Sequence, residues 1–323
     1  MRSLILLAVA GFVAQLVDGS LGMAYGVTST TLLLAVGLTP AIASASVHIA
    51  EVGTTAASGV AHWRFGNVDW SKIVWMAVPG AVGAFVGAYL LTSIPAELAA
   101  PFVAVFLFCL GGYVLAKFAF HRAGNLVTKK PIPRKVLSPL GLFAGFMDAI
   151  GGGGWGPIST PTLLSSGRME PRRVVGTVDT SEFLVALSAS VGFLFGLSMS
   201  EIPLGVVGAL LAGGLIAAPL AAWVVRLLNA RILGTAVGGF ILVTNAQTFF
   251  STVGIGGSLA VAIYAVIVAV WVLALYWAIA SARQGSERLI GGGASQAGVA
   301  EESSNGYKQS QSHSDEERVE SKL

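Results

Sequence analysis

Charge is scarce in this chain. Of its 323 residues only 11% are charged, against 54% hydrophobic, and the mean hydropathy of +0.78 excludes an ordinary soluble domain. Cysteine is nearly missing as well: the single Cys109 sits in an apolar run, so no disulfide framework exists, and it is expected to pack as a small residue in a membrane helix. Period-two alternation in segments of about ten residues, the mark of a membrane β-barrel, does not occur. Neither do G-x-S-x-G, H-E-x-x-H or a phosphate-binding P-loop. No enzymatic activity, resident cofactor or metal is therefore expected, and ATP-driven transport would need a separate partner.

What is present is a series of apolar runs of membrane-spanning length. Seven read as single crossings: residues 42–62, 73–92, 98–118, 174–196, 204–225, 232–252 and 258–281. Residues 284–323 carry four basic and seven acidic side chains among Ser, Gly and Gln, and are expected to be a disordered tail. The rest holds fifteen Lys and Arg against nine acids. Those basic residues are scattered through short loops, which fits a membrane surface and gives no nucleic-acid-binding module.

Two further apolar runs are broken. Residues 11–34 read GFVAQLVDGSLGMAYGVTSTTLLL and residues 141–164 read GLFAGFMDAIGGGGWGPISTPTLL. At an offset of 130, Gly11, Asp18, Gly22, Gly26, Thr30 and Leu33 fall on Gly141, Asp148, Gly152, Gly156, Thr160 and Leu163. The first fifteen or so residues could pass for a secretory signal, but cleavage there would destroy one copy of the repeat. The broken runs, residues 4–37 and 136–167, are too long for one straight crossing, and each arm, at about a dozen residues, is too short to cross alone.

Positive charge orients the chain. HRAGNLVTKKPIPRK (121–135) is the strongest basic cluster and is placed in the cytoplasm. The basic turn at 167–173 then lies on the same side only if 136–167 enters and leaves on one face. The consistent architecture is an all-α polytopic membrane protein of two inverted repeats. Each repeat is a re-entrant broken-helix hairpin followed by three transmembrane helices, with one extra C-terminal helix. The units are 1–120 (first repeat), 121–135 (cytoplasmic linker), 136–253 (second repeat), 254–283 (final helix) and 284–323 (cytoplasmic tail), with the N-terminus outside a cell membrane. Gly80, Gly83 and Gly87 are read as sites of close helix packing.

Inverted repeats with discontinuous helices place a site near the bilayer midplane. Helix N-termini at the breaks offer free N–H groups and a positive dipole end to an anion. Gly152, Gly153, Gly154, Ser159 and Thr160, with Thr28 and Ser29 of the first half, are the candidate substrate-binding residues. Six ionisable residues interrupt apolar runs, where charge is costly and usually functional: Asp18, His48, Glu51, Asp148, Asp179 and Glu182. His48 and Glu51 match Asp179 and Glu182 at an offset of 131. Ser44, His48, Glu51, Thr55, Ser58 and His62 make one polar stripe on a helix. Three roles are open for the ionisable residues: proton coupling, cation coordination through His48-x-x-Glu51 and Asp179-x-x-Glu182, or, for Asp18 and Asp148, capping of helix ends at the breaks. Asn245 and Gln247 either line the cavity or bond helix to helix.

The segment GF-x-AQ-x-x-DG-x-x-G (11–22), its echo G-x-x-AGF-x-DAIGGGGWG (141–156) and HWRFGNVDW (62–70) resemble the sulfite exporter TauE/SafE family, over about residues 4–280. The resemblance implies a permease for small sulfur-containing anions such as sulfite or organosulfonates, or for other organic anions. Together with the buried carboxylates it points to proton-coupled, secondary-active transport by alternating access. The first break reads Leu21-Gly22-Met23-Ala24 where the second has Gly151–Gly154, so the two halves need not bind alike. The alternatives are a divalent-cation transporter using the same His, Asp and Glu residues, or a membrane accessory protein that moves nothing itself.

Overall fold

The computed structural model describes residues 2–120, 132–224, 230–252 and 254–281, and every regular element among them is an α-helix. In chain order these are α1 (Arg2–Leu21), α2 (Tyr25–Ala35), α3 (Pro40–Arg64), α4 (Trp70–Ser93), α5 (Ala96–Phe120), α6 (Arg134–Gly151), α7 (Trp155–Ser165), α8 (Pro171–Gly196), α9 (Leu204–Val224), α10 (Ala230–Thr252) and α11 (Gly257–Ser281). Most of the basic linker, Arg226, the side chain of Gln247 and the tail from 284 onward lie outside the described residues. Met1–Leu275 forms one compact unit that contains the whole candidate site. The second unit, Tyr276–Leu323, is described only over the end of α11.

Local chemistry sets the helix ends. Pro40 and Pro171 open α3 and α8 at positions where no amide donor is needed. Asp69 caps α4, accepting from the Ser71 amide at 3.1 Å. Five helices are long and apolar enough to cross a bilayer: α4, α5, α8, α9 and α11. Helices α3 and α10, at 25 and 23 residues, are long enough for their crossings. Polar residues dilute both, and in α3 the stripe faces inward: Ser44, His48, Glu51, Thr55, Ser58 and His62 are all buried.

The broken segments divide unequally. Their first arms run 20 residues (α1) and 18 residues (α6), longer than the dozen expected, while α2 and α7 have 11 each. Nothing stops α1 or α6 before the break, because an isolated glycine inside a packed helix costs only about 1 kcal/mol.

The helix neighbours repeat. Helix α1 packs on α9 as α6 packs on α4; α3 packs on α9 as α8 packs on α4; α3 meets α8, and α5 meets α10. Exchanging α1–α5 with α6–α10 maps this set of pairings onto itself. Small residues let the backbones touch. A Cβ on Gly83 would run into the Leu142 carbonyl, on Gly141 into the Met76 carbonyl, and on Gly145 into the Gly80 carbonyl. Gly11 and Gly213 make the matching approaches to Leu210 and Ala8 between α1 and α9. The indole of the fully buried Trp155 lies over Gly80, and its N–H donates to the Val178 carbonyl at 3.1 Å.

Cys109 does not pack inside as expected: it is exposed on α5, on a membrane-length apolar helix. Trp63 and Trp70 are exposed where α3 ends and α4 begins, and the Arg134 guanidinium sits 4.3 Å from the Trp75 ring, as residues of a membrane–water interface do.

Candidate functional site

Gly22 and Gly152 end α1 and α6 in the same left-handed conformation, both at φ +65°, where a Cβ is disfavoured. Each break then reaches across to the other repeat. Thr30 Oγ1 on α2 donates to the Gly152 carbonyl at 2.5 Å, and Thr160 Oγ1 on α7 donates to the Gly22 carbonyl at 2.7 Å. The backbones also meet, since a Cβ on Gly26 would stand 2.8 Å from the Gly153 Cα. Bulk at either position would separate the two breaks.

The aspartates at the breaks cap the inner arms. Asp148 Oδ1 accepts from the Gly154 amide at 2.6 Å and the Trp155 amide at 2.9 Å. Asp18 Oδ1 accepts from the Tyr25 amide, at a longer 3.3 Å. The half-helix N-termini therefore already hold a carboxylate each, in the position an external anion would otherwise take.

On one side of the crossing a histidine joins the acids. His48, fully buried on α3, places Nε2 3.1 Å from Asp148 Oδ2 and 3.9 Å from Glu51 Oε2. Its Nδ1 lies 2.8 Å from the Ser44 carbonyl. With Nδ1–H donated there, Nε2 carries a second proton only in the imidazolium form. The Ser44 hydroxyl ties α3 to the break by donating to the Ala149 carbonyl at 2.6 Å. Neither oxygen of the buried Glu51 has a hydrogen-bond partner. Its Oε1 lies 2.8 Å from where a Cβ on Gly26 would stand, hard against the start of α2.

The opposite side has no such nitrogen between its acids. Asp179 on α8 stands at the repeat position of His48, and oxygens of Asp18, Asp179 and Glu182 lie within 4.8 Å of one another, all buried. Asp179 lies beside Asp18 and the Ser58 hydroxyl, but no donor among the described residues meets its oxygens in good hydrogen-bond geometry. His62 Nε2 lies 3.6 Å from Asp179 Oδ2.

Of the candidate substrate-binding residues, Thr28, Ser29 and Ser159 keep buried hydroxyls without a hydrogen-bond partner. Ser29 and Ser159 are equivalent at the 130-residue offset, one turn inside α2 and α7. Thr160 is committed to the Gly22 carbonyl, the Gly154 amide to Asp148, and Gly152 and Gly153 are packed against Thr30, Gly26 and Val27. Asn245 bonds helix to helix, donating to Thr31 Oγ1 at 3.1 Å; it also lines a cavity of about 240 Å³ with Thr31, Leu34, Ala96, Ala104 and Thr244, which none of the candidate substrate-binding residues lines.

Two residues beside the site carried no assignment from sequence. Gln15 is fully buried on α1 with both amide atoms unpartnered, and Tyr25 joins Asp18 through its amide while its hydroxyl donates to the Leu210 carbonyl at 3.2 Å. Gln15, a polar side chain in an apolar arm, could have been singled out on the ground used for the acids. Nothing in the pattern marks Tyr25.

Two discontinuous helices crossing among buried ionisable residues, inside an apolar helical bundle, define a membrane transporter. The chain belongs to the sulfite exporter TauE/SafE family, whose model matches residues 7–248. It is 51% identical over 280 residues to the "Probable membrane transporter protein YtnM" of Bacillus subtilis (strain 168), covering 86% of this chain and 93% of that one. No solved structure matches it.

Proposed function

We propose that the protein is a secondary-active transporter of small anions, with sulfite, organosulfonates or related organic anions as substrates. The observation that carries this reading is the pair Ser29 and Ser159: buried, unpartnered hydroxyls at the same place in each repeat, one turn inside the half-helices that follow the two meeting breaks. A buried donor without a partner is costly, and an anion would supply the missing acceptor. Thr28 adds a third hydroxyl on the same turn of α2. The family's name supplies the choice of sulfite.

Carboxylates near this seat repel an anion unless they are protonated or paired. Protonation of Glu51 or Glu182 therefore favours anion occupancy and couples transport to protons, with Asp18, Asp148, Asp179 and His48 completing the relay. Because Asp148 and Asp18 occupy the helix N-termini, the anion sits further along the arms, at the hydroxyls. The self-mapping helix pairings and the cytoplasmic placing of the basic loops support two inverted repeats, 1–120 and 136–253, rocking around the crossing to give alternating access. The linker 121–135 and the tail 284–323 then lie in the cytoplasm and the N-terminus outside.

The test is counterflow in proteoliposomes. Vesicles loaded with unlabelled sulfite or a sulfonate should accumulate labelled sulfite, faster with an inward proton gradient. No flux of any anion from folded protein would overturn the reading.

A further inference from the structure

We propose that Asp18, Asp179 and Glu182 form a binding site for a hard metal cation of sodium or calcium size, distinct from the His48 side of the crossing. The two sides are built from equivalent positions, so their difference is informative. Where His48 puts a ring nitrogen between Asp148 and Glu51 at 3.1 and 3.9 Å, the other repeat puts Asp179, an acceptor with no proton donor of its own. Three carboxylates converge there with oxygens no more than 4.8 Å apart.

The second observation is the state of Asp179. It is fully buried, it points into the cluster, and neither of its oxygens has a hydrogen-bond partner. An isolated buried carboxylate is among the costliest groups a fold can hold unless it is paired or coordinates a metal. His62 Nε2 lies 3.6 Å from Asp179 Oδ2 and is not one of the three groups that converge.

The chemistry of the donors selects the ion. All three ligands are carboxylate oxygens, with the Ser58 hydroxyl beside Asp179, and no thiolate is near, which favours a hard cation. Oxygens up to 4.8 Å apart share a centre that calcium–oxygen bonds of about 2.3–2.6 Å reach with small side-chain movement. Magnesium demands about 2.0–2.1 Å and near-ideal octahedral geometry and usually keeps several of its waters, which a buried cluster of three carboxylates does not suit. Sodium and calcium share the oxygen preference, and the experiment separates them.

Purified full-length protein is unfolded thermally at one pH and constant ionic strength in choline chloride, with added sodium, calcium or magnesium. Sodium or calcium should raise the midpoint by about 5 °C at saturation, and magnesium should not. Asp179→Asn and Glu182→Gln should remove the shift, whereas Glu97→Gln, an exposed acid on α5, should keep it. Without metal, Asp179→Asn should melt above wild type because the repulsion is gone. Should these variants fail to fold, equilibrium dialysis of wild type with radioactive sodium and calcium gives the answer, with one saturable site per chain expected. No cation-specific shift and no saturable binding, or a shift that survives Asp179→Asn, would overturn the proposal. A bound cation would take Asp18, Asp179 and Glu182 out of the proton relay and leave the coupling to Glu51 and the His48 side; neither assay involves anion flux, so the anion reading and the cation site fail or stand separately.

Discussion

His48 Nε2 lies 3.1 Å from Asp148 Oδ2, which joins the polar stripe of α3 to the cap of α7 in the other half of the chain. Asp148 thereby serves two partners: one oxygen holds the Gly154 and Trp155 amides, the other faces the imidazole. Asp18, its equivalent, holds one amide at 3.3 Å and faces another acid. This inequality makes the two aspartates separable by experiment. Asp148→Ala should lower unfolding stability by about 3 kcal/mol, through a lost cap and a buried imidazole left unpaired, and Asp18→Ala by about 1 kcal/mol or less. Denaturation of the purified variants checks the order.

The unpartnered hydroxyls offer a test that separates structure from function. Ser29→Ala and Ser159→Ala remove no hydrogen bond of the fold, so thermal stability should be unchanged or raised by up to about 1 kcal/mol. If each hydroxyl donates to the bound anion, KM for counterflow should rise about 5–10-fold in each variant, with the maximal rate little changed. Unchanged KM in both would remove these serines from the binding site.

The crossing itself depends on Thr30 and Thr160. Replacing either by valine keeps the volume and removes the bond to Gly152 or Gly22. Each change should cost about 1–2 kcal/mol, because a buried carbonyl loses its donor. The double variant should depart from additivity, since both bonds hold the same pair of breaks. Matched unfolding curves of the four proteins measure this.

Glycines on α4 and α6 should be far less tolerant than others of the same residue type. At Gly83 and Gly145 an added Cβ meets the backbone carbonyl of Leu142 or Gly80, which has nowhere to go, while at Gly208 nothing lies within 4 Å. Gly83→Ala and Gly145→Ala should each destabilise by about 1–3 kcal/mol. Gly208→Ala should be neutral or stabilising by up to about 1 kcal/mol, from helix propensity alone. Melting temperatures of the three variants distinguish the cases.

Glu51 carries the pH prediction. Its oxygens have no hydrogen-bond partner and press against the start of α2, so its charge acts directly on an anion held by that arm. If protonation of Glu51 permits occupancy, counterflow should rise as pH falls. Glu51→Gln, a permanently neutral copy, should then run at a rate independent of pH. A variant that keeps the wild-type pH profile would show that another group carries the proton.

Much of this was legible in the sequence, for identifiable reasons. Hydropathy marks helices because an apolar run must satisfy its own backbone in lipid. Glycine clusters mark the breaks because only glycine takes the left-handed turn cheaply, as at Gly22 and Gly152. The 3.6-residue period collected Ser44 through His62 on one face, and all six are buried. The repeat at offsets of 130 and 131 pairs Asp18 with Asp148 and Glu51 with Glu182 by position.

Which residues touch was decided by the tertiary structure alone. Thr30 reaches Gly152 rather than its own break, His48 reaches Asp148, and Asp179 lies against Asp18, each across a hundred residues or more. Periodicity fixes which face of a helix a residue occupies. It carries no information about which helix lies opposite, because that follows from how whole surfaces pack. The half-helix N-termini, which the sequence left open to an anion or to capping by Asp18 and Asp148, are taken up by those two aspartates through contacts six or seven residues along the chain, and the open donors lie one turn further along.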